Sequence, residues 1–97
     1  MPTLEDFRQD IDRVDEVIVR LLNERARVAC EIGRLKKSDG VPVYQPDREK
    51  QVLDAAVGAN PGPLPDAAIR RLFERILDEA RLVERTVMYD GDVKKEG

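Results

Sequence analysis

The chain is 97 residues long, 38% charged and 4% aromatic, with no Trp or His and a formal net charge of −3. That length is near the lower limit for one unstapled hydrophobic core, and an apolar set of Leu, Ile and Val fits an all-α fold rather than a β-sandwich. The acidic balance and lack of stacking residues argue against nucleic acid, no apolar run approaches a membrane span, and the lone Cys30 fits a reducing, cytoplasmic setting without an intrachain disulfide.

Thr3 stands where an N-cap belongs, with Glu5 and Asp6 in the turn that follows. One long helix is expected from there, over about residues 3–37. Its apolar residues Leu4, Phe7, Ile11, Val14, Ile18, Leu21, Val28, Ile32 and Leu35 alternate steps of three and four, a heptad seam with one gap at Arg25. Such a rod is roughly 50 Å long at about 1.5 Å per residue, more than so small a chain can cover, so the seam is expected to meet a second copy. Lys36, Lys37, Ser38, Asp39 and Gly40 form a cationic last turn followed by breakers.

A loop spans 41–45, and Pro46 opens a short second helix over 46–57, with Val52, Leu53, Ala56 and Val57 as its apolar face. The run Asn60-Pro61-Gly62-Pro63-Leu64-Pro65 makes a stiff turn. The third helix is expected over 65–88, on a stripe of Ile69, Leu72, Phe73, Ile76, Leu77, Ala80, Val83 and Val87. Residues 1–88 thus form one all-α domain of three helices, long, short and long, with 89–97 as a flexible tail.

Polar residues on these apolar stripes mark the chemistry. Arg25 sits where the seam asks for Leu or Val; either its stem packs while its head snorkels outward, or it takes an anionic partner. Lys36, eleven residues on, returns within about 20° of the same face and about 16 Å along it. Arg8 lies about 25 Å before Arg25, but an antiparallel dimer with its axis near Glu16 and Val17 would bring Arg8 of one chain level with Arg25 of the other. Arg48 and Glu49 lean toward the apolar side of the second helix. Glu84 follows Leu77 by seven and Ala80 by four, which puts a carboxyl on or beside the buried stripe of the third helix. Up to four cations and one inward carboxyl suit a small dianion. Without His, a Gly-rich phosphate loop or a metal-ligand cluster, what remains is binding, or a reaction that needs only positioning and electrostatic stabilisation.

The order Arg8, Ile11-Asp12, Val14-Asp15, Leu21-Leu22, Arg25, Ile32-Gly33, Lys36, Pro42, Asp47-Arg48-Glu49 and Arg71-Leu72-Phe73 resembles the all-α AroQ chorismate mutase family over about residues 4–88. Asn60-Pro61-Gly62-Pro63 looks most like mutase domains attached to DAHP synthases. The resemblance implies an intertwined antiparallel homodimer that isomerises chorismate to prephenate by a concerted rearrangement, in phenylalanine and tyrosine biosynthesis and with no cofactor. It implies substrate binding by Arg8 from one chain and Arg25, Arg48 and Glu49 from the other, with Glu49 on the substrate hydroxyl. Lys36 and Glu84 would donate to the ether oxygen as its bond breaks, with Arg25, Lys36 and Glu84 as the catalytic set. Family members often carry Gln where this chain has Glu84. A carboxyl donates only when protonated, so an acid-favoured rate is expected. Two further readings stand beside this one on the same fold: a non-catalytic chorismate- or prephenate-binding module of a DAHP synthase, and an isochorismate-pyruvate lyase.

Overall fold

The computed structural model describes residues 1–90 and contains three helices: α1 (Leu4–Asp39), α2 (Pro46–Gly58) and α3 (Asp66–Asp90). The all-α expectation holds for these residues. α1 starts where the side chain of Thr3 accepts from the Asp6 backbone N–H at 3.1 Å while the Thr3 N–H donates to the Asp6 carboxylate at 2.8 Å, a reciprocal capping box. The backbone and side-chain hydrogen bonds from Thr3 hold the Asp6 carboxyl below the ordinary aspartate range. At the other end Gly40 takes the left-handed conformation, φ 68°, and its N–H returns to the carbonyls of Lys36 and Lys37. The turn before α3 is tied by Asn60, whose amide donates to the Leu64 carbonyl at 2.8 Å and to Asp66 at 2.9 Å.

α3 packs on the C-terminal half of α1, and α2 packs on α3 rather than on α1. The expected face of α2 is confirmed: Val52, Leu53, Ala56 and Val57 are all partly buried. The stripe of α3 is also as expected except at Leu72, which stays exposed, and α3 carries Tyr89 and Asp90 in the helix, two residues beyond the expected end at 88. The rest of the expected tail, 91–97, lies outside the described residues.

The contact between α1 and α3 does not run along the heptad seam. Ala29 and Gly33 are buried, with Arg25, Ala26, Cys30 and Lys36 half-buried around them, while Val28 and Leu35 of the seam remain exposed. The helices meet through a row of small residues one step round from the large ones. A Cβ on Gly33 would lie 3.0 Å from both the Cα and the carbonyl oxygen of Glu84, so this glycine marks the point of closest backbone approach. Small residues leave room for the polar side chains beside them; large seam residues would have filled it.

The N-terminal half of α1 has no cover within the chain. Leu4, Phe7, Ile11, Val14, Ile18 and Leu21 are each 47–65% exposed. The radius of gyration is 16.5 Å, against about 13 Å for a compact domain of this length. Only Ala29, Leu77 and Val87 form a buried apolar core among the described residues.

Substitution at Gly33 tests the crossing. Gly33→Val gains little helix propensity and forces side-chain carbons against the Glu84 backbone, so it is expected to lower stability by roughly 2 kcal/mol, read by urea unfolding. Gly33→Ala, with one carbon and a larger propensity gain, is expected to cost less.

Candidate active site

Three elements converge beside the crossing. The last turns of α1 supply Lys36, and the left-handed turn at Gly40 sends the chain back so that the Val43 carbonyl accepts from the Lys36 ammonium at 2.8 Å. Pro46 starts α2 immediately afterwards, and its first turn brings Arg48 and Glu49 to the same place. α3 contributes Leu77, Ala80, Arg81 and Glu84. Between them lies a cleft of about 320 Å³, at the small end of the range for ligand sites, with Ile32, Val52 and Leu77 as apolar wall.

Glu84 is 7% exposed, the one buried charged residue among those described. Its carboxylate accepts from the Lys36 ammonium at 2.7 Å, and the two side chains are 10% and 17% exposed. An ammonium has three N–H donors. The Val43 carbonyl and Glu84 take two of them, which leaves one for a ligand. Among the described residues no buried side-chain nitrogen or oxygen lacks a hydrogen bond. Glu49 is paired as well: Arg81 of α3 donates to it and to Asp78, and lies over the ring of Tyr44, 5.6 Å from its centroid. The hydrogen bond to Glu49 outweighs burial and pushes Arg81 above the ordinary arginine value.

Arg25, Lys36, Arg48 and Arg81 face two carboxylates across this cleft, Glu49 and Glu84. Each carboxylate is neutralised by one cation, Glu49 by Arg81 and Glu84 by Lys36. That leaves Arg25, half-buried and without an ionic partner among the described residues, and Arg48, whose one polar contact is a long 3.4 Å bond to the Gln51 amide. Two uncompensated guanidiniums at a small cleft have the charge and the donors to suit a ligand with two negative charges.

The chain therefore brings together five of the six residues singled out from sequence: Arg25, Lys36, Arg48, Glu49 and Glu84. Arg8 is exposed on the uncovered half of α1, about 25 Å along the helix from Arg25, and does not reach the cleft of its own chain. Arg81 was missed. Its signal was present, since it precedes Glu84 by three and follows Leu77 by four on the same face of α3, but arginine beside acidic neighbours reads as surface.

The family profile Chorismate mutase type II matches residues 7–85. The chain belongs to the chorismate mutase type II family. It is 46% identical over 86 residues to the bifunctional chorismate mutase/prephenate dehydratase of Neisseria gonorrhoeae, covering 87% of this chain and 23% of that protein. The protein of the same name from Aquifex aeolicus is 33% identical over 91 residues, covering 90% and 25%. This chain thus spans about a quarter of the length of those two relatives. Its fold is shared with chorismate mutase (form II) from Thermus thermophilus, with a TM-score of 0.83 at 43% identity over 84% of this chain and 93% of the other. Both bifunctional relatives join chorismate mutase to prephenate dehydratase, so the narrower likeness to mutase domains of DAHP synthases draws no support from them. Among the described residues no helix is long and apolar enough to cross a membrane.

The buried ion pair makes a stability prediction. Lys36→Met leaves Glu84 charged, buried and unpaired, and is expected to cost about 2–3 kcal/mol at pH 7, below the 3–5 typical of full burial because both side chains keep some exposure. Lys36→Met combined with Glu84→Gln, which leaves no buried charge without a partner, should lie closer to wild type; urea unfolding of both variants measures the difference.

Proposed function

We propose that the chain isomerises chorismate to prephenate, a step toward phenylalanine and tyrosine in the cytoplasm, and that it does so as a homodimer. The observation that carries the reading is the charge count of the cleft: two guanidiniums left over after internal pairing, for a substrate with two carboxylates, beside an ammonium with one N–H to spare. Arg25 and Arg48 hold the carboxylates, with Arg8 of the second copy beside them. Glu49 accepts from the substrate hydroxyl. In the concerted rearrangement the ether C–O bond breaks as the new C–C bond forms, and negative charge gathers on the ether oxygen. Lys36 meets that charge, which stabilises the transition state more than the bound substrate. Glu84 adds a second donor when its carboxyl is protonated.

The exposed seam supports the dimer. Two chains crossing antiparallel near Glu16 and Val17 cover each other's uncovered apolar residues and bring Arg8 of each to Arg25 of the other. Among the alternatives, association with a DAHP synthase as a non-catalytic module draws on the Asn60-Pro61-Gly62-Pro63 turn and on the C-terminal tail, most of which lies outside the described residues.

Loss of chorismate absorbance and formation of prephenate test the reading. Arg25→Ala and Arg8→Ala are each expected to lower kcat/KM by about 10²-fold or more. Unfolding and refolding the two variants together should restore about a quarter of the sites, because half the dimers are mixed and each mixed dimer holds one intact site. No recovery on mixing excludes the shared site, and binding of chorismate without turnover favours the regulatory module. Glu84→Gln, whose amide donates at any pH, is expected to keep forming prephenate at neutral pH, and loss of turnover in that variant overturns a donor role at this position.

A further inference from the structure

Arg81 ties together three parts of the cleft that are distant in sequence. From α3 its guanidinium donates to Glu49 on α2, donates to Asp78 on its own helix, and stacks over Tyr44 in the loop between α1 and α2. Tyr44 adjoins Val43, whose carbonyl holds the Lys36 ammonium at 2.8 Å. The Arg81 and Glu49 side chains are only 21% and 19% exposed, so their ion pair is shielded from solvent far better than the i,i+4 pairs on the helix surfaces. A guanidinium facing two carboxylates and a ring differs from Arg25 and Arg48. Its charge is already engaged, and its planar fork fixes the orientation of what it holds.

We propose that Arg81 is a positioning residue: its ion pair with Glu49 and its stack on Tyr44 fix the carboxylate that receives the substrate hydroxyl and steady the loop whose Val43 carbonyl holds Lys36. It does not bind the substrate itself. Without that pairing, Glu49 on the first turn of α2 would sample several rotamers, and each wrong one withdraws the acceptor from the hydroxyl. This inference rests on the chorismate mutase reading for the role of Glu49, but the hold on the loop belongs to the protein without ligand.

The test is a double-mutant cycle with separate kcat and KM, together with a measurement made without substrate. Arg81→Met is expected to lower kcat/KM about thirty-fold, with the larger part in KM, and in a Glu49→Gln background to change it less than about threefold, because the carboxylate that it orients is gone. Arg81→Lys keeps the charge without the fork and should fall between; it also serves in the cycle if Arg81→Met does not fold. An equal loss in both backgrounds, the mark of direct substrate contact or of a merely structural role, overturns the proposal, as does no loss in either. In the ligand-free protein the NMR order parameter of the Val43 methyl groups should drop in Arg81→Met, and unchanged order overturns the hold on the loop. If wild type does not convert chorismate, the proposed function fails on its own account, and the Val43 measurement then decides for or against Arg81.

Discussion

The close crossing of α1 and α3 at Gly33 is the constraint on which the rest of the structure depends. With no side chain at that position, the backbone of Glu84 comes within van der Waals range of α1, and the Glu84 carboxyl is carried into a region from which water is nearly excluded. A carboxylate there must be neutralised, and Lys36, three residues along α1 from Gly33, is placed by helix geometry to do it. One missing Cβ thus fixes the depth of the carboxyl, the identity of its partner and the position of the cleft. The ammonium in turn recruits the Val43 carbonyl, so the loop leading into α2 is laid down against the same point.

Much of this was legible in the chain itself. The caps of α1 are short-range chemistry, in which Thr3 and Asp6 exchange hydrogen bonds across one turn and Gly40 supplies the left-handed residue that ends the helix. Lys36, Arg25 and Glu84 stood out because they interrupt apolar stripes, and a charge on such a stripe has to be explained by a partner or a ligand. The packing line between α1 and α3 was not legible, because periodicity weights large apolar residues and the contact uses Ala26, Ala29 and Gly33. The same bias placed Leu72 inside when it is outside. Arg81 shares the face of Glu84 but reads as a surface arginine, and its partners Glu49 and Tyr44, more than thirty residues away in sequence, emerge only when the helices pack.

The two halves of α1 have different chemistry. Its C-terminal half offers small and charged residues to α3 and the cleft, whereas its N-terminal half presents large aliphatic residues to solvent. A segment so exposed gains little from tertiary burial within its own chain, and an isolated helix of that length is marginal in water. The face that needs cover also carries Arg8, so in the proposed dimer covering that face and completing the proposed site would be one event.

Arg25 adds a consequence of its own. It belongs to the wall of the candidate cleft and also to the wall of a neighbouring groove between α1 and α3, lined in part by Leu22, Ala26, Ile76 and Val83. One guanidinium cannot serve two concave surfaces independently: a rotamer chosen from one side alters the shape presented to the other. A ligand in the cleft that fixed the Arg25 rotamer would therefore also fix the shape of the groove beside it.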